Sequence, residues 1–170
     1  LGILNQSLTL EGPLMKDKAS FIVSGRASTL GVTDFLTKKR PTVGSGEDYI
    51  YKFYDLNAKL NFRLSQTDQV FISFYNGFDR FKYDEWRRFD QKEVSTVLGN
   101  NWGNVTGTVR YSKVLSDKLF AKAAVIYSHY TSEFRNDFVD RGSNGEHENI
   151  YRYTDTRVTD LGGKLQLDYY

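Results

Sequence analysis

The stretch Asp55–Leu64, Asp-Leu-Asn-Ala-Lys-Leu-Asn-Phe-Arg-Leu, alternates polar and apolar residues without a break. Its apolar members are Leu56, Ala58, Leu60, Phe62 and Leu64, and its polar members are Asp55, Asn57, Lys59, Asn61 and Arg63. Successive side chains of a β-strand point to opposite faces, so this stretch predicts a strand with one hydrocarbon face and one polar face. Its length is within the range of roughly 9–11 residues with which a tilted strand crosses a bilayer.

The composition favours strands throughout the chain. The 170 residues include 12 Tyr and 12 Phe but only two Pro, and there is no cysteine. Aromatic residues are enriched in strands, and scarce proline leaves strand ladders uninterrupted. The lack of cysteine excludes a disulfide framework and a thiolate metal site. The net charge is +2 with both signs interspersed, so no nucleic-acid-binding surface is predicted.

The chain shows no membrane-spanning helix and no targeting segment. No run approaches about 18 consecutive apolar residues, as a transmembrane helix would require. Transmembrane barrels alternate apolar and polar residues, so low mean hydropathy does not argue against them. The sequence begins at Leu1 without a signal peptide. An outer-membrane protein without one is either a mature chain or an excerpt of a longer chain, and we expect an excerpt.

Alternation and turn signals predict seven antiparallel strands. These are Leu1–Glu11, Ala19–Leu30, Tyr49–Leu64, Val70–Phe81, Trp102–Leu115, Leu119–Phe138 and a last strand that includes Leu161–Tyr169. Short turns (12–18, opened by Gly12-Pro13, then 65–69 and 116–118) alternate with predicted long loops (31–48, 82–101 and 140–149). Antiparallel strands then place all short turns at one end of the sheet and all long loops at the other. Outer-membrane barrels have this asymmetry, with short periplasmic turns and long extracellular loops.

Aromatic residues gather near the predicted loop ends of the strands. They are Tyr49, Tyr51, Phe53, Tyr54, Phe78, Phe81, Tyr83, Tyr127, Tyr130, Phe134, Tyr151 and Tyr153. Rings at the lipid–water boundary form the girdles of transmembrane barrels. The alternative is a soluble barrel in which these rings pack an interior. We favour the girdle because the apolar faces are too many for one small interior.

Four segments resemble a known family. Glu11–Arg26 (Glu-Gly-Pro-Leu-Met-Lys-Asp-Lys-Ala-Ser-Phe-Ile-Val-Ser-Gly-Arg) is similar to the early barrel of TonB-dependent outer-membrane receptors, especially those with an N-terminal carboxypeptidase-regulatory-like domain. Tyr54–Phe62 and Phe71–Gly77 resemble the next hairpin of that family, and Trp102-Gly103-Asn104 resembles its following strand. The similarity covers nearly the whole chain.

The resemblance implies a barrel of about 22 strands filled by an N-terminal plug. It implies import of a scarce, bulky nutrient of the siderophore, glycan, peptide or vitamin class, powered by the inner-membrane TonB complex. The chain itself carries neither the plug nor the segment that contacts TonB. Further partners expected for such a receptor are the lipid bilayer, lipopolysaccharide, for which Lys38-Lys39-Arg40 is a plausible contact, and a surface lipoprotein.

The alternation assigns residues to three surfaces. The predicted lipid-facing residues are Leu56, Ala58, Leu60, Phe62, Val105, Val109, Leu165 and Leu167. The predicted lumen-facing residues are Arg26, Asn57, Lys59, Asn61, Arg63, Tyr75, Arg110 and Lys164. Tyr83, Trp86 and Arg87 are predicted to lie in a loop and to capture substrate first, because variable loops on a rigid scaffold usually carry binding.

No residue pattern points to catalysis, a metal or a cofactor. Glu146-His147-Glu148 is interpreted as a solvated loop because one histidine with two flexible carboxylates is a weak ligand set. No histidine is placed to activate a nucleophile. Two other hypotheses stay open: a small, independent outer-membrane barrel acting as an adhesin or structural protein, and a soluble lipocalin-like binding module. The first needs closure between the first and last strands, and the second needs its apolar residues to point inward.

Overall fold

The computed structural model describes residues 5–28, 44–89, 92–142 and 147–170, which form one antiparallel sheet. The strands are β1 (Asn5–Met15), β2 (Ala19–Ser28), β3 (Gly44–Arg63), β4 (Asp68–Phe89), β5 (Lys92–Ser116), β6 (Leu119–Arg141) and β7 (His147–Tyr169). Each strand pairs with its sequence neighbours in the order β1 to β7, and β1 does not pair with β7. No helix in these ranges has the length and apolar character to span a membrane.

The seven predicted strands are confirmed within the described ranges, and several are longer than predicted. Residues 1–4 and 29–30, which the sequence assigned to the first two strands, lie outside those ranges. The segment 82–101, predicted as a loop, is strand on both sides of residues 90–91, which lie outside the described ranges. The β4–β5 pairing runs without a register shift from Asp68↔Lys113 to Phe89↔Lys92. A ladder of backbone hydrogen bonds therefore continues through a stretch whose many charges suggested a loop. The predicted loops 31–48 and 140–149 are also shortened, since β3 begins at Gly44 and β7 at His147.

The short-turn end is as compact as predicted. Strands β1 and β2 are joined by residues 16–18, β3 and β4 by 64–67, and β5 and β6 by 117–118. Gly12 and Pro13, predicted to open a turn, instead lie inside β1, with a register shift between Pro13 and Met15. Proline lacks the N–H that a central strand needs, and β1 has a partner on one side only in the described sheet.

The sheet has almost no buried apolar side chain. Among the described residues, only Ala19 and Trp86 are both apolar and buried. Large aliphatic side chains stay open, with Leu8 77% and Leu165 85% exposed. Exposed apolar surface of this extent marks an interaction with another protein or with a membrane. The described sheet is held by its backbone ladders, and its apolar face is left for another medium to cover.

The turn after β1 generates a local stability prediction. Asp17 adopts a left-handed conformation with φ of 59°, and the Lys18 N–H donates to the Met15 carbonyl at 3.1 Å. Left-handed φ suits glycine, asparagine and aspartate, whereas a β-branched side chain clashes there. Asp17→Val is expected to lower the free energy of unfolding by about 1–2 kcal/mol, and Asp17→Gly to leave it unchanged or raise it. Urea titration of both variants checks this, and equal midpoints would contradict it.

Candidate functional site

The register of the sheet sorts side chains onto two faces. Directly opposed residues of neighbouring strands share a face, since side chains alternate along each strand. One such row runs through Gly12, Phe21, Leu60, Ile72, Val109, Val125 and Gly163. The adjacent row, on the other side, runs through Glu11, Ile22, Lys59, Ser73, Thr108, Ile126 and Gly162. We call these sides the Leu60 face and the Lys59 face.

The sequence-predicted residues separate cleanly between the two faces. Residues predicted to face lipid all lie on the Leu60 face: Leu56, Ala58, Leu60, Phe62, Val105, Val109, Leu165 and Leu167. Residues predicted to face a lumen all lie on the Lys59 face: Arg26, Asn57, Lys59, Asn61, Arg63, Tyr75, Arg110 and Lys164. The grouping follows from pairing alone; which medium covers each face stays a prediction.

The Leu60 face carries an apolar band with charged residues at both ends. On β4 the band runs from Val70 to Phe78, and Asn76 is the only polar residue of β4 within it on this face. Below the band, toward the short turns, lies Asp68, opposite Lys113. Above the band, away from the short turns, lies Arg80, opposite Lys52. The band spans nine residues of strand, or about 30 Å at roughly 3.3 Å per residue. At the tilt of about 35–45° found in transmembrane barrels, a strand of this length covers about 21–25 Å of height, close to the apolar band of about 25 Å in outer-membrane barrels.

The band runs obliquely across the strands. Its apolar residues on β3 occupy Tyr54–Phe62 and on β7 Leu161–Tyr169. Following the pairs from strand to strand, Leu161 at the upper end of the band on β7 is level with Ala58 on β3. The band on β3 begins at Tyr54, so the band on β7 lies four residues closer to the short-turn end. That displacement is about 13 Å along a strand over four strand spacings of about 4.8 Å, an angle of about 35°. Strands of transmembrane barrels tilt from the axis by about 35–45°.

A hydrogen-bonded cluster marks the short-turn end of the band. The hydroxyls of Ser65 and Thr67 donate to the Asp68 carboxylate at 2.6 and 2.9 Å, the Tyr111 hydroxyl donates to it, and Lys113 Nζ lies 3.3 Å from it. These donors, Ser65 first among them, lower the pKa of Asp68. The cluster joins the β3–β4 turn to β5 at the point where the apolar band ends.

The Lys59 face carries a charged cluster at mid-height. Arg26 Nε donates to Asp55 Oδ2 at 2.7 Å, and the Tyr75 hydroxyl donates to Asp55 Oδ1 at 2.9 Å. The Tyr75 ring reaches Asp55 by lying across Gly77, where a Cβ would come within 2.2 Å of the hydroxyl. Glycine at 77 is therefore required for this approach. Two predicted lumen residues, Arg26 and Tyr75, are brought together by Asp55.

Above this cluster the Leu60 face becomes charged and the Lys59 face becomes aromatic. On the Leu60 face the aliphatic residues give way to charged ones, with Lys82 Nζ 3.5 Å from Asp84 Oδ2 and Arg157 Nη2 2.6 Å from Asp155 Oδ2. On the Lys59 face the charged residues give way to rings, which we call the aromatic patch: Tyr49, Tyr51, Phe53, Phe81, Tyr83 and Trp102. The apolar side of the sheet thus changes between its lower and upper halves.

The aromatic patch corrects the predicted girdle. Ring centroids lie 5.4 Å apart for Tyr49–Tyr83, 5.8 Å for Tyr51–Phe53 and 6.5 Å for Tyr51–Trp102. Tyr130 and Phe134 also lie on this Lys59 face, so they and the patch residues cannot form a girdle on the Leu60 face. Tyr54, Phe78, Tyr127, Tyr151 and Tyr153 do lie on the Leu60 face. The Tyr54 and Phe78 rings stack there at 6.0 Å, at the upper end of the band.

The predicted substrate-capture residues lie in β4 and not in a loop. Tyr83 and Arg87 point to the Lys59 face, and Arg87 Nη2 donates to Glu85 Oε1 at 3.0 Å. Trp86 points to the Leu60 face and is only 6% exposed, because its ring covers Gly46. The three side chains therefore do not form one loop surface. Alternation of Phe81 and Tyr83 with charged neighbours was the sequence signal for a strand here.

The described residues contain no group of three His, Asp or Glu side chains able to hold a metal ion. His129 Nδ1 lies 2.7 Å from the Thr159 hydroxyl on the Leu60 face. His147 is the first residue of β7, while Glu146 lies outside the described ranges. The basic segment Lys38-Lys39-Arg40 lies outside them as well.

Comparison with known proteins places the fold. No protein-family model matches the chain, and no curated protein matches it significantly. Among solved structures, the chain is similar to the ferric yersiniabactin uptake receptor FyuA from Yersinia pestis, with 13% sequence identity and a TM-score of 0.56. The similarity covers 97% of this chain and 25% of the receptor chain. The chain thus has the fold of a segment of a β-barrel and spans about a quarter of that structure's length.

The Asp68 cluster predicts a pH-dependent contribution to stability. Because folding lowers the pKa of Asp68, its contribution is present above the ordinary pKa of about 3.9 and is lost as the pH falls through the folded value. Asp68→Asn is expected to lower the urea midpoint at pH 7, and its difference from the parent to shrink below about pH 4.

Asp117→Asn, an exposed change in the β5–β6 turn, is the matched control and should leave the midpoint unchanged at both pH values. Midpoints measured on the protein in lipid vesicles decide the question. A deficit of Asp68→Asn that stays constant down to pH 3 would contradict the ionic role of Asp68.

Proposed function

We propose that this chain is part of the barrel wall of an outer-membrane receptor that imports a scarce, bulky nutrient. The observation that carries the proposal is the apolar band on the Leu60 face, which has the height of the lipid-facing band of outer-membrane barrels and charged residues at both ends. A soluble sheet buries such a face, whereas in the described residues it stays open. The oblique course of the band supports strands that are tilted as in a barrel.

In this proposal the Leu60 face contacts acyl chains and the Lys59 face lines a water-filled lumen. Polar residues belong in such a lumen, and the Arg26–Asp55–Tyr75 cluster is the type of satisfied network that a wet face tolerates. Charged residues above the band, such as Arg80 and Lys82, then lie at the height of lipid headgroups and lipopolysaccharide phosphates. The short turns lie on the periplasmic side.

The remaining parts of the import machinery would lie outside this chain. A sheet with unpaired outer strands, β1 and β7, can continue on both sides into a larger barrel. The sequence resemblance to TonB-dependent receptors supports a plug within the same parent chain and energy from the TonB complex, with a surface lipoprotein as a further partner. The similarity to an uptake receptor favours transport over catalysis.

The two rival hypotheses have less support. A small independent barrel requires the first and last strands to pair, and in the described sheet they do not. A soluble lipocalin-like module requires Leu56–Phe62 to pack inside a closed barrel, but Leu56 and Phe74 of that face are each 40% exposed. The importer segment accounts for both the open edges and the uncovered apolar face.

The assignment of the two faces predicts unequal effects of one substitution at neighbouring positions. Leu60→Arg should impair insertion, at a cost of about 2–4 kcal/mol near the bilayer midplane, because it places a guanidinium among acyl chains. Asn61→Arg adds the same group on the Lys59 face and should cost far less. The measurement is the folded fraction of the complete gene product in lipid vesicles across a urea series.

The comparison contains its own control, since the two positions are adjacent in β3 and receive the same arginine side chain on opposite faces. Similar midpoint losses at both positions would show that the faces are assigned wrongly, and the receptor proposal would fail with them.

A further inference from the structure

A cavity opens on the Leu60 face directly above the apolar band. It has a volume of about 520 Å³ and lies over β5, between β4 and β6. Its floor on β5 consists of Val97, Gly99 and Asn101, whose side chains are short. Below Asn101, the Phe78 ring covers Gly103 at the upper end of the band. The cavity therefore has an apolar surface immediately beneath it.

The walls of the cavity carry cations. Arg80 and Lys82 come from β4 and Arg135 from β6, and Lys52 on β3 stands opposite Arg80. Lys82 Nζ lies 3.5 Å from Asp84 Oδ2. Among the described residues, no carboxylate lies within ion-pair distance of Lys52, Arg80 or Arg135. All three side chains are exposed, so their charges are available to an anion.

Hydrogen-bonding groups lie between these cations. Glu133 and Asp137 flank Arg135 on β6 and offset part of the positive charge. Asp137 Oδ1 is buried, so we assign hydrogen bonds with a ligand to Glu133, Asn101 and the Tyr153 hydroxyl. Carboxylates and amides accept hydrogen bonds from hydroxyl groups, whereas guanidinium and ammonium groups bind phosphate. The mixed wall fits a ligand that carries phosphates and hydroxyls together.

The position of the cavity relative to the band indicates a lipid headgroup. Lys52 and Arg80 are the first residues of the Leu60 face beyond the band, about 7 Å along each strand from its last apolar residue. Basic residues just outside the hydrocarbon zone attract the phosphates of anionic lipids. On β7 the rings of Tyr151 and Tyr153 stack at 6.4 Å beside Arg135. Exposed tyrosines of this kind are enriched where hydrocarbon meets headgroups.

The spread of the cations indicates a headgroup larger than that of a phospholipid. Lys52 and Arg135 lie on strands that are three spacings apart, about 14 Å across the sheet. A phospholipid such as phosphatidylglycerol carries a single phosphate. A disaccharide lipid with a phosphate on each sugar carries two separated anionic groups joined by hydroxylated rings. That arrangement matches cations on both sides of Asn101 and Glu133.

We propose that this cavity binds the headgroup of a phosphorylated glycolipid of the outer leaflet, with its phosphates at Lys52, Arg80 and Arg135. The sugar hydroxyls pair with Glu133 and Asn101, and the acyl chains lie along the apolar band below. This inference rests on the proposed function, since it requires the Leu60 face to meet lipid and the upper end of the strands to lie outside the cell. It gives the receptor wall a specific lipid partner.

The test is native mass spectrometry of the complete gene product in detergent, titrated with diphosphorylated lipid A. The buffer contains EDTA, so that no divalent cation bridges phosphate to Glu133 or Asp137. Lipid A stripped of both phosphates and phosphatidylglycerol are the comparison probes, and each should bind at least about tenfold more weakly. Equal binding of the stripped lipid would overturn the phosphate contacts. Equal binding of phosphatidylglycerol would overturn the assignment of a glycolipid.

Variants locate the site. Arg80→Gln and Arg135→Gln should each weaken lipid A binding about fivefold, the effect of one basic residue near an anionic headgroup. Arg152→Gln is the matched control, because Arg152 is exposed and adjoins Tyr153 but stands opposite Asn136 on the Lys59 face. Its affinity should be unchanged. Unchanged affinity of either cavity variant, or an equal loss in Arg152→Gln, would overturn the site.

Failure of this inference is distinguishable from failure of the proposed function. Each variant is also scored for its folded fraction in phosphatidylcholine vesicles without lipid A, beside Leu60→Arg and Asn61→Arg. If the Leu60 and Asn61 variants behave as expected while Arg80→Gln binds lipid A normally, the wall assignment holds and the cavity does not take a glycolipid. If the Leu60 and Asn61 variants behave alike, the Leu60 face itself is wrongly assigned to lipid.

Discussion

An unshifted antiparallel register is the constraint on which everything else in this sheet depends. Side chains alternate with a period of two, so a slip of one residue would move every side chain of a strand to the other face. In the described strands, the register shifts only between Pro13 and Met15 and between Val114 and Ser116, both beside short turns. The long ladders between those points keep Leu60, Ile72 and Val109 in one row although no core packs them.

The same ladders allow the sheet to have two halves of opposite polarity. Below Asp55 the aliphatic residues lie on the Leu60 face, and above it the rings lie on the Lys59 face. Neither half needs a different backbone, because the strands continue unchanged through the switch. In the proposed receptor wall, the lower half presents its aliphatic residues outward and the upper half presents its rings inward.

The sequence predicted the faces correctly where apolar and polar residues alternate without a break. It misled where the alternation shifts by one residue, so that apolar side chains move to the other face. Alternation from Leu56 to Phe62 correctly predicted both the strand and the grouping of its side chains. The adjacent pair Phe53-Tyr54 marks the phase change in β3, since Phe53 belongs to the Lys59 face and Tyr54 to the Leu60 face. Proximity in sequence suggested one girdle, although the two rings point in opposite directions. The stretch around Trp86 suggested a loop because it is rich in charged residues, and the pairing of Trp86 with Gly46 shows that it is a strand.

The sequence by itself determined the fold class, the seven strands, the short turns and the division of residues around Leu60 into two sets. It could do so because strand periodicity, turn composition and the avoidance of proline are local properties of the chain. Only the tertiary structure decided how far the strands extend, which aromatic rings share a face and where charge bounds the apolar band. Those features depend on which residues of distant strands stand opposite one another, and the backbone ladders set that pairing across the whole sheet.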